Sequence, residues 1–222
     1  MSQKKNYIIA IDGPSGTGKS TTAKILSKQL GITYLDTGAM YRAITYVALE
    51  AGLNAEESNE LQALLDNTVI DFDSENKVLI NGISRETEIR GKRVSDAVSP
   101  YSALPLVRRV LTEKQREIGA KASCILDGRD IGTVVFPHAD FKFFLVTDLE
   151  VRAKRRYAEL LEKGENVSLD DAIRNLTERD RIDSSRATAP LKKAEDAIEI
   201  DTTHLTIQEQ VEKIRNIVGV VA

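Results

Sequence analysis

The sequence predicts an α/β fold: a five-stranded parallel sheet with helices on both faces, and an inserted small α+β subdomain. Three observations predict it. Short apolar runs lacking clean alternation recur along the chain, as in strands covered on both faces. Amphipathic helical stretches lie between them, and strand alternating with helix is the signature of a parallel sheet. Between about 62 and 99 this rhythm breaks into short β-like runs joined by turn residues.

The first strand is "YIIAID" (7–12), followed by a glycine-rich loop and a helix over 19–30. "ITYLD" (32–36) is the second strand, and a helix over 38–51 follows "DTG". In "TVIDFDSENKVLINGIS" two or three β-like runs are joined by Asp-Ser-Glu-Asn and Asn-Gly, a hairpin signal inside a parallel chain. A helix over 104–120 leads to "SCILD" (123–127), and "FKFFLV" (141–146) is the next strand. Helices over 148–163 and 168–184 flank "EKGENVS" (162–168), the expected mobile connector. "AIEID" (197–201) and a helix over 206–218 complete the pattern. The expected organisation is a core of 1–61 and 100–222, a lid at about 150–168, and an insertion at 62–99.

Composition narrows the function. Hydrophobic residues are 41% and charged residues 29%, as in a globular protein. No apolar run approaches the roughly 20 residues that cross a bilayer. The N-terminal apolar run, Tyr7 to Ile11, is too short for a secretory signal, so the protein reads as cytoplasmic. Net charge is −3, against the basic excess of a nucleic-acid surface. One cysteine, Cys124, excludes an internal disulfide and is expected in a buried strand. His138 and His204 carry no motif.

Gly13-Pro14-Ser15-Gly16-Thr17-Gly18-Lys19-Ser20 fits G-x-x-x-x-G-K-[ST], after a strand and before a helix. Glycines let successive N–H groups point inward, and the helix N-terminus adds partial positive charge. Lys19 reaches β/γ-phosphates and the Ser20 hydroxyl ligates Mg²⁺, so the loop holds a nucleoside triphosphate. No N-K-x-D element for guanine is present, which leaves a small phosphotransferase with a second anion site.

"LDTGAMYR" (35–42) ends a strand and opens a helix, with Thr37 expected as N-cap, Arg42 facing an acceptor phosphate and Asp36 near metal or phosphate. In "ILDGRDIGTVVFP" Asp127 ends a strand, where an acid holds Mg²⁺ through water, and Arg129 and Asp130 enter the same crevice. In "ERDRIDSSRATAP" Arg179, Asp183 and Arg186 share a helical face, while Arg181 points elsewhere. Arg152, Arg155 and Arg156 share another face, suited to a lid that closes positive charge over the triphosphate.

"IDGPSGTGKST", "LDTGAMYR", "DGRDIGTVVFP" and "ERDRIDSSRATAPL" together resemble the bacterial cytidylate kinase family, the CMP/dCMP kinases, over essentially the whole chain. The insertion is similar to the enlarged monophosphate-binding domain of the long bacterial form. The resemblance implies ATP-binding residues 13–20 with Thr21 and Arg155. It also implies that Ser99, Arg108 and Asp130 read the cytosine edge, with Thr37 in the base pocket or capping its helix. Arg42, Arg129 and Arg186 would then bind the monophosphate or the phosphate in transfer beside Lys19, and Arg179 and Asp183 the sugar. The implied reaction is ATP plus CMP or dCMP, with Mg²⁺, by a monomer acting on small molecules, with no nucleic acid or membrane partner. Other readings share the loop: a kinase for UMP, shikimate or gluconate, and a nucleotide-dependent switch with a protein partner.

Overall fold

The computed structural model describes residues 6–219 except 74 and 163. The N-terminal residues 1–5, Ser74 of the expected turn and Lys163 of the expected connector therefore lie outside the described residues. The chain forms two compact units, residues 1–34 with 122–222, and residues 35–121.

In the first unit, β1 (Ile8–Asp12), β6 (Cys124–Gly128), β7 (Phe141–Val146) and β8 (Ile198–Asp201) are joined by β2 (Thr33–Asp36), in the order β2-β6-β1-β7-β8. The pairs β1–β6, β1–β7 and β7–β8 are parallel, with Asp12 level with Gly128 and Ile11 with Asp127. Ile9 and Ile11 on one face and Ala10 on the other are wholly buried, which is why the strand reads as continuously apolar. Helices α1 (Lys19–Leu30) and α9 (Ile207–Gly219) cover one face, and Leu26, Val211 and Ile214 join Ile9, Ile11, Ile125 and Phe143 in one core. Helices α7 (Leu149–Glu162) and α8 (Leu169–Ser185) pack on each other. A capping box, Ser168 with Asp171, starts α8.

The crossover order brings the carboxyl ends of β1 and β6 side by side at a topological switch, where open α/β sheets bind ligands. After β6 the chain runs through Arg129 and Asp130 into one π-helical turn, Ile131–Val135.

In the second unit α2 (Thr37–Glu50) packs against α5 (Lys92–Ala103), α6 (Pro105–Gly119), α3 (Asn59–Asp66) and α4 (Glu86–Ile89). An antiparallel sheet of β3 (Ile70–Phe72), β4 (Val78–Ile80) and β5 (Ile83–Ser84) completes it. Asn81 and Gly82, with φ of 50° and 81°, make the two-residue turn that Asn-Gly signals. The stretch 62–99 lies inside this unit, which also takes in the whole of α2 and α6, because those helices share its core.

Candidate active site

The loop between β1 and α1 has the glycines its path demands. At Gly13, φ is 147° and a Cβ would lie 2.2 Å from the Leu145 carbonyl oxygen, so no side chain is compatible with this backbone. Gly18 stands at the N-cap of α1 with φ of 90°, and no side chain caps the helix. Its first amides therefore keep their partial positive charge for an anion. Lys19 is buried, and its Nζ donates to the Pro14 carbonyl at 2.5 Å and to Thr17 Oγ1 at 3.3 Å. Burial, then the positive charge of Arg129, pulls its pKa well below the ordinary lysine value. Asp127, Asp12 and Asp183 oppose that shift without cancelling it. Thr21 is exposed on the first turn of α1.

The Ser20 hydroxyl donates to Asp127 Oδ2 at 2.6 Å, and the Tyr34 hydroxyl donates to Asp127 Oδ1 at 2.8 Å. A hydroxyl and a carboxylate held this close are the hard oxygen donors that suit Mg²⁺.

Arg152, Arg155 and Arg156 do share a face of α7, but each has its own acceptor within this unit. Arg152 donates to the Ser15 and Thr147 carbonyls, each at 3.1 Å, and to Asp180 at 2.5 Å. Asp180 in turn accepts from the Ser15 amide at 3.4 Å, so both sides of that loop residue are gripped. Arg155 donates to the carbonyls of Thr202 and Leu205, and Arg156 pairs with Glu159.

Beside the loop lies a buried charge cluster. Arg129 Nε donates to Asp183 Oδ2 at 2.8 Å, and Arg186 lies 3.5 Å from Asp183 and 3.5 Å from Asp130. Burial opposes the Asp183 charge, but Arg129, Arg186 and Arg179 outweigh it and hold the pKa below the usual carboxylate range. Burial likewise opposes the Arg129 charge, and Asp183 overcomes it and raises that pKa. Helix α8 ends at Ser185, so Arg186 is its C-cap residue rather than part of the helical face, yet it still reaches Asp183. Arg181 faces away, paired with Glu178 at 2.7 Å on an exposed surface.

In the second unit the N-cap of α2 is Asp36, which accepts from the Ala39 amide at 2.9 Å. Thr37 was expected in that place; it is instead the first helical residue and is buried. The carboxylate reaches the N3 amide from one residue earlier, where the chain is still extended from β2. Asp36 also pairs with Arg90 at 3.0 Å. Arg42 donates to Ser95 Oγ at 2.9 Å and to the Ile89 carbonyl at 3.3 Å. Arg108 is buried over the ring of Tyr41, 5.3 Å from its centroid, and donates to the Ser102 carbonyl. The Ser102 hydroxyl donates to the Ser99 carbonyl, which links Ser99 and Arg108 through one residue.

Sequence reasoning missed Asp12, Tyr34, Tyr41, Arg90 and Asp180. An acid at the carboxyl end of a strand singled out Asp127, and the same signal applies to Asp12. The others stand in no motif. Cys124 is buried as expected, and burial pushes its thiol up to about 12.

The family model described as cytidylate kinase matches residues 9–219. A cytidylate kinase of Clostridioides difficile (strain 630) is 51% identical over 209 residues, covering 94% of this chain and 96% of that protein. One from Carboxydothermus hydrogenoformans is 51% identical over 214 residues, covering 95% and 96%. Among solved structures, an uncharacterized protein from Eubacterium ventriosum superposes with a TM-score of 0.53 at 15% identity, over 97% of this chain and 99% of its own, a likeness of fold alone.

Proposed function

The chain belongs to the cytidylate kinase family, and from that premise we propose that it transfers the γ-phosphate of ATP to CMP or dCMP, giving ADP and CDP or dCDP. The observation that carries this reading is the pairing, in one unit, of a complete phosphate loop with a buried Arg129–Asp183–Arg186–Asp130 cluster. One handles a triphosphate, and the other is built for a second anion and a polar base.

A phosphate oxygen of CMP attacks the γ-phosphorus while the bond to the β–γ bridging oxygen breaks, and ADP departs. The acceptor is already an anion near neutral pH, so the residues need supply no strong base. The barrier is the approach of two polyanions in line. We assign Lys19, Arg129, Arg186 and Arg42 to neutralise charge on the transferring group as its bonds loosen. Burial depresses the pKa of Lys19, and bound phosphates would favour its charged form. Residues 13–20, Thr21 and Arg155 are assigned to ATP. Ser20 and Asp127 would hold Mg²⁺, which when bound supplies further positive charge to the phosphates.

Cytosine offers an amino donor and the N3 and O2 acceptors. Asp130 would accept from the amino group, while Arg108 and Ser99 supply donors. Thr37 is assigned to the base as well, and Arg179 and Asp183 to the sugar. The stretch 62–99 is assigned to monophosphate binding and 150–168 to a lid that excludes water.

The test is a coupled ADP-release assay with Mg·ATP and each monophosphate in turn. Strong turnover with CMP and dCMP, weak turnover with UMP and none with AMP or GMP is the expected result. ADP release unchanged by any acceptor would overturn the reading, and a preference for UMP would move it to a different kinase.

A further inference from the structure

Asp12 ends β1, and the proposed chemistry makes no use of it, yet it is among the most buried carboxylates of the first unit, 4% exposed. Both of its oxygens are committed. Oδ1 accepts from the Ile131 amide at 2.9 Å and Oδ2 from the Gly132 amide at 2.7 Å. A carboxylate with both oxygens on backbone donors is not a free base, which excludes the simplest catalytic use.

The two amides it holds explain its place. They open the π-helical turn Ile131–Val135, whose first N–H groups have no partner within the turn. The residue at the N-cap of that turn is Asp130. An aspartate at an N-cap ordinarily bonds the amides just after it with its own side chain. Asp130 makes no such bond, and lies 3.5 Å from Arg186 instead. The capping is done from another strand, by a residue 119 positions away in sequence. The fit is tight on the other side also: a Cβ on Gly132 would meet the Lys142 side chain at 3.2 Å and Asp12 Oδ2 at 3.4 Å.

We propose that Asp12 is a positioning residue that takes over the capping of the turn after Asp130, so that the Asp130 carboxylate is directed away from the turn and toward Arg186, where it recognises the base of the acceptor nucleotide. This rests on the assignment of Asp130 to the cytosine amino group. The same grip sets the position of Arg129, one residue further back and bonded to Asp183. With Asp12 at work, discrimination between an amino and a carbonyl group on the pyrimidine depends on a residue that touches neither.

The test compares Asp12→Asn, Asp130→Asn and the double variant, reading kcat/KM for CMP and for UMP, KM for ATP, and Tm. Asparagine keeps one acceptor but presents an N–H₂ to the second amide, so Asp130 swings back to cap. D12N is expected to lower the CMP-over-UMP ratio at least 10-fold, to leave KM for ATP within 3-fold, and to keep its Tm near pH 7 within a few degrees. In the double variant D12N should add less than 2-fold to the loss of ratio already caused by D130N. An unchanged ratio in D130N would sink the Asp130 assignment itself. A full ratio in D12N, or additive losses in the double variant, would leave that assignment standing and overturn the role of Asp12. If D12N does not fold, Asp12→Glu, whose carboxylate is carried one methylene further and cannot keep both amides, takes its place, and a retained ratio there is equally fatal.

Discussion

Lys19 shows how a single residue is set up for its task. Its ammonium is buried beside Arg129 and donates to a carbonyl and a hydroxyl; burial and Arg129 outweigh the nearby charges of Asp127, Asp12 and Asp183, so an arriving anion is favoured there. Lys19→Ala should therefore cost the fold little while removing about 3–4 kcal/mol of transition-state stabilisation, a fall in kcat of more than about 100-fold. Unchanged circular dichroism with near-normal kcat would contradict that. Asp183 is the opposite case. It is flanked by Arg129 and Arg186, and Asp183→Ala leaves two cations in a buried cluster without their shared counter-charge. A loss of roughly 3 kcal/mol in urea unfolding is expected, along with the loss of turnover. Cys124 tests the core at the same scale. Buried on β6 with its thiol pushed up to about 12, it should react with Ellman's reagent only at the rate of unfolding. Rapid labelling of the native protein would show that the strand opens locally.

Among the elements, turns and caps are where sequence and structure can be compared most sharply. Asn81–Gly82 is a hairpin turn whose glycine is there for its conformation. Gly82 has φ of 81° and nothing within 4 Å of an added Cβ, so Gly82→Ala should cost only the left-handed backbone penalty, about 1–2 kcal/mol. Gly13 shares the positive φ but adds a clash with a strand carbonyl, and the same substitution there should abolish nucleotide binding as well. A small, fold-only effect at Gly13 would argue against the loop geometry. Local rules of this kind made the strands and helices of the first unit legible, β7 spanning the expected 141–146 and α1 the expected 19–30, whereas α3, α4 and α5 of the second unit were not expected as helices. The phosphate loop was legible because its spacing is itself the chemistry. The cap of α2 was misplaced by one residue because Asp36 and Thr37 are both good caps, and only the backbone angle at the end of β2 chooses between them. Arg90 and Tyr41 were illegible because their partners, Asp36 and Arg108, meet them only through packing between helices of the second unit. Asp180 depends likewise on α8 lying against the phosphate loop. No pattern along the chain encodes such meetings.

For the molecule as a whole, these buried acids set how stability depends on pH, and they pull in opposite directions. Asp183 has a lowered folded pKa, so the stability it contributes is present above the ordinary value of 3.8 and is lost only as pH falls below that. Asp12 has its pKa raised from 3.8 to about 6, chiefly by burial, with Asp130 adding to the rise and Lys19 and the two backbone amides opposing it. The folded protein therefore holds a proton at Asp12 that the unfolded chain releases between about pH 6 and 3.8. The anion burdens the fold at pH 7, and that burden is relieved as pH falls through this window, by roughly 3 kcal/mol in full. D12N carries no charge to relieve. Urea unfolding of both proteins at pH 7 and at pH 4.5 should thus show the wild type gaining on the variant at the lower pH. At pH 7 the variant loses one acceptor but also sheds a buried charge, so the two should lie close together. Parallel stabilities across the window would mean that Asp12 keeps an ordinary pKa and sits in a wetter site than its burial implies. The expected divergence would mean that the fold tolerates a costly anion at neutral pH in order to keep both backbone amides ahead of Asp130 gripped.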